Sequence, residues 1–222
     1  LTEELFDIYD DELRPIGVAP RGEVHAKGLW HRSFHCWLAA PRRDGGLTVR
    51  FQKRAPGKDT FPDHYDVTAA GHLSAGETHR DAAREIREEL GLAIPFDELT
   101  FLFECRSVRE GAAGGVPFID REISRVYGAL SGVTLDEFRL QTEETSGIFE
   151  ADARDLIALF EGRIPEVEAS GRVARRRRIG APSGRRTRDG GPLCPPRGFL
   201  LSRCLPPAVG VGAGGQDLTG SR

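Results

Sequence analysis

The sequence predicts an α/β sandwich, a mixed sheet packed between helices, followed by a disordered C-terminal tail. Three observations point there. Strand-like runs lie on both sides of one strong amphipathic helix, the pattern of a layered α/β domain. In a chain of 222 residues, 39% are hydrophobic, enough for one packed core. After Glu168 the composition changes abruptly to Arg, Gly and Pro, with eleven arginines against two aspartates.

The elements follow in order. Residues 5–9 alternate apolar and acidic side chains and read as a strand, and Pro15 leads toward a short helical segment over residues 21–27. Residues 34–40 and 47–53 are strand-like runs joined by Arg42-Arg43-Asp44-Gly45-Gly46, a hairpin turn signal. A Pro/Gly-rich loop covers residues 53–63, and residues 66–70 form a short strand ended by Gly71. Thr78 can cap a helix running to Leu90 and stopped by Gly91, with Ala82, Ala83, Ile86 and Leu90 as its inward stripe. Strands are expected at residues 99–105, 119–130 and 147–150, and a closing helix at residues 153–160. The domain thus spans residues 1–168. Residues 169–222 lack the apolar surface to repay the cost of ordering. Their composition is that of GC-rich DNA read out of frame.

Charge and composition exclude several classes. The net charge is −3, but the basic tail masks an acidic body, which disfavours general nucleic-acid binding. The run Arg175-Arg176-Arg177-Arg178 leaves a nucleic-acid or anionic-membrane contact open for the tail alone. No run of 18 apolar residues exists, and residues 1–10 show neither a basic n-region nor a small-residue cleavage site, so a cytoplasmic protein is expected. Cys36, Cys105, Cys194 and Cys204 lack C-x-x-C spacing and indicate neither a zinc site nor a disulfide framework.

The chemistry is concentrated in residues 71–92. Glu85, Glu88 and Glu89 stand at i, i+3 and i+4 and share one helical face. Three carboxylates so close repel one another unless a cation lies among them, and hard oxygen ligands suit Mg²⁺ or Mn²⁺. The Gly71 loop brings backbone to the same place, and Arg84 can brace it through Glu77. A solvated acidic helix face with i,i+4 ion pairs is the plain alternative for the glutamates taken alone.

These residues resemble the Nudix box, G-x5-E-x7-R-E-U-x-E-E-x-G-U, in which U is a bulky aliphatic residue. Gly71, Glu77, Arg84, Glu85, Ile86, Glu88, Glu89, Gly91 and Leu92 fill its fixed positions, with six residues instead of seven between Glu77 and Arg84. The resemblance implies the Nudix α/β/α sandwich, with Glu85, Glu88, Glu89 and the Gly71 carbonyl holding Mg²⁺ or Mn²⁺ and Glu77–Arg84 as a structural brace. It extends over roughly residues 5–160 to the branch similar to type I isopentenyl-diphosphate isomerase. That likeness implies a second metal or substrate site at His25, His31, His72, Asp120 and Glu122, and a diphosphate grip at Arg21, Arg54 and Lys58. Alternation along a strand puts Asp120 and Glu122 on one side. Read singly, each histidine is equally an ordinary core or surface residue, and each cation an ordinary surface charge.

Two features separate hydrolase from isomerase. The isomerase needs a catalytic cysteine two residues before the position of His72, where this chain has Ala70. Its box also lacks the full glutamate set, which this chain keeps. The expected reaction is therefore metal-dependent hydrolysis of a diphosphate linkage in a nucleoside-diphosphate-like or related small molecule. Glu88 and Glu89 are assigned to catalysis, and Glu122, Glu143 or Glu144 to the base that activates water. An isomerase-like enzyme and a non-catalytic nucleotide-binding module stay open as alternatives, as does a homodimer. Trp30 and Trp37 fit either a stacking platform or the core.

Overall fold

The computed structural model describes residues 3–58, 60–113 and 115–174. In chain order these build β1 (Leu5–Tyr9), β2 (Pro15–Pro20), α1 (Arg21–Lys27), β3 (Trp30–Pro41), β4 (Leu47–Arg54), β5 (Tyr65–Asp66) and β6 (Ala69–His72). Next come α2 (His79–Ala82), α3 (Arg84–Leu90), β7 (Thr100–Ala113), β8 (Val116–Leu130), β9 (Thr145–Asp152), α4 (Ala153–Phe160) and β10 (Ser170–Val173).

The mixed sheet is organised around β3. Along one edge β3 pairs in parallel with β8, from Trp30 opposite Arg121 to Ala39 opposite Leu130. Along the other it meets β6 first (Ser33 opposite His72) and β4 later (Leu38 opposite Arg50), both antiparallel. A strand paired on both sides and covered on both faces is buried almost throughout, which is why its sequence shows little alternation. The parallel pair requires a long crossover, and the box helix lies within it. Phe34, Leu38, Ile86, Leu90 and Phe138 form the core on the α3 side, while Trp37, Phe51, Val126 and Leu156 form the core under α4. Helices thus cover both faces of the sheet, the expected sandwich. No helix among the described residues is long and apolar enough to cross a membrane.

Several elements differ in detail from the expectation. The single helix expected over residues 78–90 is broken at Ala83 into α2 and α3. Ala83 itself stays in the αR region, at φ −62° and ψ −13°. The strand expected over residues 66–70 is two short strands, β5 on β4 and β6 on β3. The Thr68 hydroxyl sits where they part, accepting from the Leu38 N–H at 2.9 Å and donating to the Arg50 carbonyl. The ordered body also passes the boundary expected at Glu168. Ser170–Val173 pairs antiparallel with β9, through backbone hydrogen bonds that a search for apolar periodicity does not detect. The rest of the expected tail, with its arginine run, lies outside the described residues.

Candidate active site

The box begins where β6 ends. A Cβ on Gly71 would lie 2.3 Å from Cδ and 2.5 Å from Cγ of Glu85, so only glycine admits Glu85 against the strand. The following loop is tied down by Glu77, whose carboxylate accepts from the Ser74 N–H at 2.8 Å. Arg84 Nε and Nη2 donate to the two oxygens of Glu77 at 3.1 and 3.3 Å. The shortened spacing therefore leaves this contact formed, a bidentate pair of strong geometry.

The three glutamates of α3 are placed differently. Glu89 is 6% exposed and accepts from the Ala70 N–H at 3.2 Å and from Gln52 Nε2 at 3.0 Å. Burial, helped by the nearby Glu85 charge, pushes its carboxyl up to about 8. Burial likewise pushes Glu85 up to about 7, against the pull of Arg84. Both line one cleft of about 200 Å³. Glu88 is half exposed, accepts from Arg84 Nη1 at 2.9 Å and does not line that cleft.

The same cleft is lined by His25, His72 and Asp120, and His31 is buried beside them. His25 comes from α1, His31 from the start of β3, His72 from the end of β6 and Asp120 from β8. One ligand-capable atom from each lies within 4.8 Å of the others. His31 Nε2 is 3.5 Å and His25 Nε2 3.8 Å from the same oxygen of Asp120. The parallel β3/β8 register sets His31 opposite Glu122. Burial pushes His72 down to about 3, and also lowers His31. Glu122 lies beside this group, 3.3 Å from His72 Nε2 and 2.8 Å from Arg109 Nη2. Burial would raise its carboxyl, but Arg109, His35 and His72 hold it well below the usual range.

The expected cations all line the cleft, each held by a neighbour. Arg21 Nη1 donates to Glu4 at 3.1 Å and to His72 Nδ1 at 3.1 Å. Arg54 reaches Asp66 at 3.1 Å, and Lys58 pairs with Glu144. Glu144 thus lines the cleft, whereas its neighbour Glu143 is exposed outside it. Trp30 and Trp37 are buried, as core residues. Sequence reasoning did not single out Gln52, Asp66, His35 or Arg109. The last stands opposite Asp120 in the β7/β8 hairpin, a register that only the folded hairpin reveals.

A family model of the NUDIX domain matches residues 29–167. An uncharacterized Nudix hydrolase of Clostridium acetobutylicum is 38% identical over 172 residues, 77% of this chain and 81% of that protein. An isopentenyl-diphosphate Delta-isomerase of Mycolicibacterium vanbaalenii is 37% identical over 57% of this chain and 66% of its own. Among solved structures, the Deinococcus radiodurans protein DR0079 superposes with a TM-score of 0.50 at 21% identity, covering 72% of this chain and 90% of its own. That likeness speaks to the fold alone.

Proposed function

This chain belongs to the Nudix family of hydrolases, which cut diphosphate bonds, and on that premise we propose that it hydrolyses a small nucleoside-diphosphate-like or related molecule with Mg²⁺ or Mn²⁺. One observation carries the reading. Glu85 and Glu89, both desolvated and both pushed toward the neutral form, line the same cleft as Arg21, Arg54 and Lys58. Two buried carboxylates that disfavour each other's charge, with the Gly71 backbone beside them, offer oxygen ligands that fit a hard divalent cation. Glu85, Glu89 and the Gly71 carbonyl would hold it, with Glu88 at the rim. Such an ion, when bound, offsets charge on phosphate oxygens and acidifies water.

The chain's own residues supply the remainder. Arg21, Arg54 and Lys58 are already oriented by Glu4, Asp66 and Glu144, and they grip the anionic diphosphate. Glu144 is the base we assign, because it lines the cleft and is released when Lys58 turns to a phosphate. It takes the proton of the attacking water as the new P–O bond forms and the bridging P–O bond breaks. Glu122, fixed by Arg109 and kept ionised, is poorly suited to accept a proton and serves as a fixed negative charge beside the histidines.

The histidine–aspartate cluster and the Mycolicibacterium relative favour a second reading, an isomerase of isopentenyl diphosphate. Against it, Ala70 lines the cleft with only a methyl group where that chemistry needs a thiol. Detection of the phosphomonoester products over a panel of diphosphates, by chromatography or phosphatase-coupled phosphate release, with and without Mg²⁺ or Mn²⁺, tests the proposal. Metal-dependent product formation supports it, binding without product indicates a non-catalytic module, and deuterium exchange into isopentenyl diphosphate indicates the isomerase.

A further inference from the structure

The inward face of β4 is polar where a sandwich core is ordinarily apolar. Arg50 and Gln52 point toward the α3 side, while Val49 and Phe51 between them fill the core under α4. Gln52 is 1% exposed and Thr145, across on β9, is wholly buried. A buried amide is tolerated only when both its ends are hydrogen-bonded. Here both are. Gln52 Nε2 donates to Glu89 Oε2 at 3.0 Å, and the Thr145 hydroxyl donates to Gln52 Oε1. With Glu89 ionised, as a metal ligand must be, turning the amide over would bring its oxygen to 3.0 Å from a carboxylate oxygen, acceptor against acceptor. The Ala70 N–H donates to the same Oε2 at 3.2 Å, so both bonds converge on one oxygen and Oε1 takes neither.

We propose that Gln52 is a positioning residue for Glu89, and that the Thr145 hydroxyl fixes the direction of its amide so that the NH₂ end meets the carboxylate. The pair anchors one oxygen of Glu89 to the sheet and leaves the other to the cleft. Partners that orient a metal ligand typically change metal affinity by about 10- to 100-fold when removed. This inference rests on Glu89 being a ligand of the divalent ion.

The test uses the full chain and Mn²⁺ alone, with affinity measured by calorimetry or by the spin resonance of free Mn²⁺, and circular dichroism to verify folding. Gln52→Met and Thr145→Val should each weaken Mn²⁺ binding by about 10- to 100-fold, while Thr145→Ser, which keeps the hydroxyl, should stay within about threefold of wild type. Should Gln52→Met fail to fold, the Thr145 pair decides alone, since valine and serine bracket threonine in shape but differ in the donor. Wild-type affinity in Thr145→Val, or equal weakening in Thr145→Ser, overturns the proposal. Glu89→Gln separates the two levels. If it leaves Mn²⁺ affinity unchanged, the ligand assignment fails and takes this inference with it. If it weakens binding while Thr145→Val does not, this inference alone falls.

Discussion

Replacing Gly71 by alanine should disable the site while leaving the fold in place. The new Cβ would stand 2.3 Å from Cδ, 2.4 Å from Oε1 and 2.5 Å from Cγ of Glu85, whereas ordinary contact begins near 3.4 Å. The carboxylate must therefore retreat by roughly 1 Å or more. Because Cγ is also blocked, rotating the carboxylate about its last bond cannot relieve the clash. The side chain must change rotamer and leave the cleft. A displacement of about 1 Å in a reacting constellation can cost on the order of 10²-fold in rate. Stability should move little. Gly71 has no left-handed backbone requirement, Gly→Ala at a compatible position stabilises by about 0.4–1 kcal/mol, and Glu85 gains solvent. The assay is metal-dependent formation of phosphomonoester product from the best substrate of the panel, alongside thermal unfolding. Gly71→Ala and Glu85→Gln should each lose about 10²-fold in kcat/KM, and the double variant should lose no more than either alone, since both remove one group. Turnover of Gly71→Ala within a few-fold of wild type, or fully additive losses, would refute the reasoning.

Other outcomes follow from the same geometry. Glu89→Gln keeps the shape at a site that already disfavours charge, so it should lose on the order of 10²-fold in rate without lowering Tm; a destabilised variant with normal turnover would contradict this. Raised carboxyls mean that the folded protein holds more protons than the unfolded chain between about pH 4.5 and 8. In chelator, then, stability fully present below that window is lost as pH rises through it, by on the order of a few kcal/mol from Glu89. Buried His31, His72 and His79 act in the opposite direction below their ordinary range, so the comparison is Tm of wild type against Glu89→Gln from pH 6.5 to 8.5. Parallel curves would exclude the Glu89 contribution. Isopentenyl diphosphate should show no enzyme-dependent deuterium exchange with the native chain, and mass spectrometry of the recovered substrate decides it. Truncation after Ala174 should leave turnover and Tm unchanged. Truncation after Glu168 should lower Tm, because it strips β10 from the β9 edge; identical melting of the two would count against that strand.

Much of this protein is written locally. The glutamate face of α3, the αL stop at Gly91, the Thr78 cap and the helix over residues 153–160 depend on neighbours a few residues apart, and periodicity and capping chemistry report them directly. The placement of Asp120 and Glu122 on one side of a strand needs only its alternation. Tertiary structure decided what each group meets. It turned Glu88 to the rim on Arg84 and broke the helix at Ala83. It brought Arg109 to Glu122, Gln52 to Glu89 and Thr145 to Gln52. Apart from Glu88–Arg84, an i,i+4 pair on α3, these contacts join residues brought together by the β7/β8 and β4/β9 pairings and by the packing of α3 on the sheet. Register is set by the packing of whole faces, and a slip of one residue would send every such side chain to the opposite side of the sheet.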